Sequence, residues 1–145
     1  MRPTPSPIPD DLHCWHNSVP IQVPTRSWEI LQLGNGGSPV ETEAGWLVLT
    51  HGVGPMRTYS LGAILLDIDE PHRVLARSAL PVLAPDDHRR DGYVPNVLYT
   101  CGAFAHHDTL VLPYSIADQS ISIATLSIDG LLGTMRPTDH DGVTT

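Results

Sequence analysis

The stretch that decides the fold is Gly34-Asn-Gly-Gly-Ser-Pro-Val-Glu-Thr-Glu-Ala-Gly-Trp-Leu-Val-Leu-Thr-His-Gly-Val53, followed by Tyr59-Ser-Leu-Gly-Ala-Ile-Leu-Leu-Asp-Ile-Asp69. It opens on a glycine-rich approach. Trp46 to Thr50 and Leu61 to Asp67 are continuous apolar runs bounded by glycine, proline and polar residues. Both runs are too short for a stable helix and read as buried strands joined by a polar turn. Ionisable groups gather at their ends: Glu41 and Glu43 before the first strand, His51 just after it, and Arg57 and Tyr59 before the second. Loops held by a rigid hairpin are where binding and catalytic groups concentrate.

Outward from this hairpin the chain continues in the same style. Met1 to Pro9 is punctuated by prolines and is expected to be disordered. Leu12 and Trp15 are candidate buried anchors. Val19 to Val23 alternates apolar and polar residues, with Pro20 and Pro24 confining it to a sheet edge. Ser27 to Leu33 is ambiguous between a helical turn and a strand. Glu70 to Arg77 reads as a turn and a short strand, and Asp86 to Tyr93 as a charged loop. Strands are expected at Thr109 to Tyr114 and Ile121 to Ile128. The domain runs over 10–135, and 136–145 is a polar tail expected to fray.

The chain echoes itself. Trp46-Leu-Val-Leu-Thr-His51 matches Thr109-Leu-Val-Leu-Pro-Tyr114, and Leu61-Gly-Ala-Ile-Leu-Leu-Asp-Ile-Asp69 matches Ile121-Ser-Ile-Ala-Thr-Leu-Ser-Ile-Asp129. The offset of about 60 residues is the scale of one four-stranded propeller blade with long loops. An all-β fold follows, with about two to three blades of a β-propeller. A ring needs at least about four blades, so this chain is expected not to close alone. Its exposed faces and edges are then expected to promote self-association.

Composition removes several function classes. The 145 residues carry a formal charge of -8 spread along the chain, which argues against nucleic acid and anionic lipid. No apolar run reaches the roughly 20 residues of a membrane span, and Met1 to Pro9 lacks the apolar centre of a signal peptide. Cys14 and Cys101 are read as reduced thiols in a cytoplasmic protein. The adjacent pairs His13-Cys14 and His106-His107 point to opposite sides of a strand, so no metal site is expected.

The run Gly37 to Val53, its continuation Tyr59 to Asp67, and then Gly92-Tyr-Val-Pro-Asn-Val97, Cys101-Gly-Ala103 and Tyr114-Ser-Ile-Ala-Asp118 resemble glycoside hydrolase family 130, in the same order. The resemblance covers roughly Asp10 to Leu132. It implies a five-bladed β-propeller, cytoplasmic in many bacteria, that cleaves β-mannosides by phosphorolysis or inverting hydrolysis. It also implies a C-terminal half of such a protein. The family's proton-donating Asp, and most of the arginines that clamp phosphate, belong to the other half. A truncated product or one half of a split protein, inactive alone, is therefore expected. No cofactor is implied beyond inorganic phosphate as co-substrate, and the expected partner is a β-linked mannoside or related oligosaccharide.

The resemblance carries over residue by residue. Glu41, in Pro39-Val-Glu-Thr42, stands where phosphorylases of the family place a phosphate-binding lysine. A carboxylate there repels phosphate but suits activation of a water, which tilts the reading toward hydrolysis. The plainer alternative is a solvated loop acid, the reading preferred for Glu43. Asp91 is a secondary base candidate. His51 matches a histidine lining the family's sugar and phosphate site, against the alternative of a satisfied core histidine. Arg57 and Tyr59 are candidate sugar or anion contacts, or rim residues. Asn96, after Pro95, offers the donor and acceptor that sugar hydroxyls need, unless it is a turn residue. Asp118 can take two neighbouring hydroxyls through its two oxygens. Trp28 and Trp46 are candidate stacking residues, with Trp46 better placed in the core. Two other classes compete with the enzyme: a partial propeller that binds carbohydrate or a protein without turnover, and a β-sandwich whose strands are similar by composition alone.

Overall fold

The computed structural model describes residues 20–85 and 94–138. Asp91, the anchors Leu12 and Trp15, Cys14 and the proline-rich start lie outside these residues. What is described is mostly β, ten strands in two sheets with one short helix.

The first sheet is built on the opening stretch. Strands β1 (Gln32–Asn35) and β2 (Val40–Thr42) both pair with the same edge of β3 (Gly45–Val53). β3 then pairs with β4 (Tyr59–Leu66), and β4 with β5 (Val74–Ser78). The two apolar runs form one antiparallel ladder from Trp46↔Leu66 to Val53↔Tyr59, so β3 runs three residues past the expected Thr50 and takes in His51. Strand geometry sends alternate side chains to opposite faces. Leu47, Leu49, Leu61, Ala63 and Leu65 therefore face the second sheet, while Val48, Ile64 and Leu66 face the other way, beneath Ile21, Trp46 and Val74. Burial on both faces explains runs with no polar alternation.

The second sheet repeats the plan. β6 (Leu98–Tyr99) and β7 (Phe104–His106) share one edge of β8 (Thr109–Ile116), and β9 (Ser120–Ser127) takes the other. Each sheet thus has a first strand broken in the middle, followed by a long hairpin, and the echoed sequences are those hairpins. The two breaks touch. Gly37, at φ 143°, lies so close to Gly102 that a Cβ there would sit 2.4 Å from its Cα. Thr100 holds the second break by donating to the Pro113 carbonyl at 2.7 Å and accepting from the Gly102 N–H at 3.2 Å. Leu98, Leu110 and Leu112 close the core against the first sheet.

After β9 the chain departs from the expected pattern. The Ser127 hydroxyl caps helix α1 (Ile128–Thr134), which buries Ile128 and Leu131. The sequence showed no helical period here because a single turn pair needs only those two inward residues. β10 (Met135–Pro137) then returns to β5, so Arg136 and Pro137, assigned to a frayed tail, are paired. Pro137 is tolerated because β10 is an edge strand. Residues 20–25 form no strand, contrary to the edge strand expected there. The segment is held instead by side chains: Glu29, 1% exposed, accepts from the Thr25 and Arg26 N–H groups and from Arg77 Nη2 at 3.0 Å, and Arg77 also donates to the Val23 carbonyl. Ser27 to Leu33 resolves into both readings, a 3-10 turn at Ser27–Glu29 and then β1.

Candidate functional site

At the C-terminal end of β3, three chain segments meet. The Tyr59 N–H donates to the Asn96 carbonyl at 2.8 Å, and Tyr59 bridges Val97 in parallel. The Ala117 N–H donates to the Val97 carbonyl at 2.8 Å. Residues 94–97 are therefore wedged between the start of β4 and the β8–β9 turn. The wedge lines a pocket of about 400 Å³ with Met56, Arg57, Tyr59, Val94, Pro95, Asn96, Val97, Tyr99 and Asp118. Four sequence candidates, Arg57, Tyr59, Asn96 and Asp118, converge there from positions up to 61 residues apart.

Two properties set this pocket apart. Among the described residues, Arg57 and Asp118 line it with no hydrogen bond or ion pair of their own. The second property is backbone conformation. Met56 (φ 56°), Arg57 (φ 53°), Ala117 (φ 54°) and Asp118 (φ 53°) all occupy the left-handed region without being glycine. Such residues cost on the order of 1 kcal/mol each and gather where function holds them. For Ala117 and Asp118 the tight hairpin accounts for part of this.

His51 is 9% exposed and lies behind the pocket wall rather than on it. Its ring is stacked with Tyr59 at 6.2 Å between centroids and tilted against Tyr99 at 5.3 Å. Room for the ring comes from Gly34, its partner on β1. A Cβ at residue 34 would stand 2.4 Å from His51 Cε1. Burial pushes the His51 pKa below its usual 6.5, opposed by a hydrogen bond with the Asn35 backbone, so the ring is neutral at neutral pH. Its Nδ1 is buried without a hydrogen-bond partner among the described residues.

Glu41 does not join these groups. On β2 it pairs with Trp46 of β3, five positions before His51, or about 17 Å along the strand. Cross-strand partners share a face, so Glu41 lies on Trp46's side of the sheet and His51 on the other. It lines instead an open cleft with Glu43, His107, Asp108 and Asp129. Among the described residues, Glu41 therefore lines a different cleft from Asn96 and Asp118. The tryptophans are also elsewhere: Trp28 covers Gly52 and Gly62 and donates to the Ala79 carbonyl at 3.4 Å, and Trp46 donates to the Ile68 carbonyl at 3.2 Å. Among the described residues no cluster of three or more His, Cys, Asp or Glu could hold a metal ion.

The sequence reading missed Tyr99. On β6 its neighbour Leu98 is 4% exposed while Tyr99 is 41% exposed and lines the pocket. The signal was available as strand alternation: a buried leucine followed by an aromatic must point the aromatic outward.

A family model described as β-1,4-mannooligosaccharide phosphorylase, glycoside hydrolase family 130, matches residues 6–137. A 1,2-β-oligomannan phosphorylase of Thermoanaerobacter sp. (strain X514) is 38% identical over 121 residues, 82% of this chain and 41% of the relative. A β-1,2-mannobiose phosphorylase of the same organism is 40% identical over 103 residues, 70% of this chain and 34% of the relative. Among solved structures, the β-1,2-mannobiose phosphorylase of Listeria innocua in complex with β-1,2-mannobiose superposes with a TM-score of 0.72 at 34% identity, covering 78% of this chain and 32% of that one. The chain thus spans well under half the length of the relatives it matches.

Proposed function

This chain belongs to glycoside hydrolase family 130, and from that membership we propose that the pocket between Arg57 and Asp118 binds a β-mannoside. The two sheets are, on this reading, consecutive blades of a β-propeller, supported by the repeated broken strand and hairpin. One observation carries the assignment: Arg57, Tyr59, Asn96 and Asp118, chosen from sequence, line one pocket. Their chemistry is complementary to a sugar. The Asn96 amide both donates and accepts, the Asp118 carboxylate accepts from adjacent hydroxyls, and Tyr59 offers an apolar ring with a polar tip.

The reaction we propose for the site is phosphorolysis, with inorganic phosphate as second substrate. A phosphate oxygen attacks the anomeric carbon, the bond from that carbon to the glycosidic oxygen breaks, and that oxygen takes up the proton that hydrogen phosphate gives up on becoming the sugar phosphate ester. Arg57 supplies the positive charge suited to the phosphate. The phosphorylase names of the relatives support this direction.

The test is calorimetric titration with β-1,2- and β-1,4-mannobiose, followed by an assay for phosphate-dependent release of a mannose 1-phosphate. A charge-assisted hydrogen bond contributes about 1.5–3 kcal/mol, so Asp118→Asn should weaken binding roughly 10- to 100-fold. Binding without release would leave a carbohydrate-binding unit. Absence of binding to either sugar would overturn the assignment.

A further inference from the structure

We propose that β9 is a self-recognition edge: two copies of this chain join their second sheets by antiparallel β9–β9 pairing about a two-fold axis at Ile123. The inference stands apart from the carbohydrate reading, and its test reads association rather than sugar binding.

Among the described residues, β9 pairs with β8 on one side and with no strand on the other. The remaining edge strands are blunted. β1, β2, β6 and β7 are two to four residues long, and β10, with three residues, carries Arg136 and Pro137. β9 has eight residues, Ser-Ile-Ser-Ile-Ala-Thr-Leu-Ser, with no charge, no proline and no glycine. Short length, charged side chains and proline are the features that keep an edge from pairing with another chain. β9 has none of them.

The chemistry of the strand points to a second copy as the occupant. Ile121, Ile123 and Thr125 share one face and are exposed, the isoleucines by 82% and 66%. A two-fold axis at Ile123 sets that residue opposite its own counterpart, and sets Ile121 opposite Thr125 of the other copy on both sides of the axis. The exposed row is thus β-branched at every position and matches itself, and such cross-strand pairs stabilise a sheet. On the other face Ser122 meets Ala124, and both are small. Charge selects the same seam. Each copy carries a formal charge of -8, which opposes association. The hairpin from Thr109 to Ser127 holds one charged residue, Asp118 at its turn, so the copies meet where there is least charge to repel. A highly charged partner would find nothing on β9 to hold. Overlap of residues 120–126 gives about six to eight hydrogen bonds between the chains. A seam one strand wide buries less than the roughly 1,600 Å² of a standard interface, so half of the chains should be dimeric at about 10–100 µM.

The experiment is sedimentation equilibrium of the full chain, from well below to well above that concentration range, at low and high salt. The wild-type chain should pass from monomer to dimer, and salt should tighten the dimer about threefold by screening the repulsion between like-charged copies. Amide exchange over residues 120–126 should slow as the dimer forms. Ile123→Lys sets two ammonium groups across the axis and should weaken association about tenfold or more, while the thermal midpoint of the monomer is kept because the position is exposed. Ile121→Lys and Thr125→Glu should each weaken association. Combined in one chain they place opposite charges across the seam on both sides of the axis and should restore it to within about threefold of the wild type, a recovery specific to this register. A monomer at every concentration overturns the proposal. So does a dimer that Ile123→Lys leaves unchanged, which would put the contact on another surface, or a dimer that salt weakens, which is the behaviour of opposite charges meeting.

Discussion

Replacing Gly34 with alanine tests whether the site and the fold are coupled through His51. The added methyl carbon would stand 2.4 Å from Cε1 and 2.7 Å from Nε2 of His51, where carbon atoms normally approach to about 3.5–4.0 Å. The ring must retreat by about 1 Å, yet Tyr59 and Tyr99 occupy the space on either side. Overpacking of this kind costs about 1–3 kcal/mol, while removing glycine's freedom from the unfolded chain returns about 0.4–1 kcal/mol. The net expectation for Gly34→Ala is a loss of about 1–2 kcal/mol. Urea unfolding measures it as a midpoint lower by about 0.5–1 M for a typical slope. In a His51→Ala background the clash has no partner, and Gly34→Ala should become stabilising by about 0.4–1 kcal/mol. The change of sign is the diagnostic result. If Gly34→Ala has the same effect in both backgrounds, the ring is not what glycine accommodates, and the coupling of site and fold through His51 fails with it.

Two stability predictions follow from the buried ionisable groups. Glu29→Ala leaves the Arg77 guanidinium buried without its partner and should cost about 3–5 kcal/mol in denaturant unfolding, whereas Glu29→Met combined with Arg77→Met should recover most of that; a loss below about 1 kcal/mol for Glu29→Ala would contradict the clamp. For His51, burial lowers the folded pKa below 6.5, so the unfolded chain binds the proton more readily. Its contribution is complete above the unfolded value and is lost as pH falls below about 6.5, with a slope of at most about 1.4 kcal/mol per pH unit. Unfolding curves between pH 7 and pH 5 should be flatter for His51→Gln than for the wild-type chain; identical slopes would remove His51 as the titrating group.

Much of this was legible in the sequence, for reasons that differ by residue. The hairpins β3–β4 and β8–β9 were readable because burial on both faces leaves an unbroken apolar run in one copy and repeats its length and order in the other. Arg57, Tyr59, Asn96 and Asp118 were singled out by the family resemblance and by their place at strand ends and turns, and the structure brings the four to one pocket. The separation of Glu41 from that pocket was not legible, because local sequence does not encode which face a short edge strand presents once β2 pairs with β3 at Trp46. Helix α1 was missed because seven residues with two buried positions carry too little periodicity. The strain at Met56 and Arg57 was not readable, since neither residue type signals a left-handed backbone.

The central claim is that sugar binds between residues 56–59, 94–99 and 118, and one measurement addresses it most directly. In a titration of the isotopically labelled chain with β-1,2-mannobiose, followed by NMR, the account predicts saturable shifts at the Asn96 side-chain amide and at the backbone of Arg57, Tyr99 and Asp118. Shifts confined to Glu41, Glu43, His107 and Asp129 would place the ligand in the opposite cleft and contradict it.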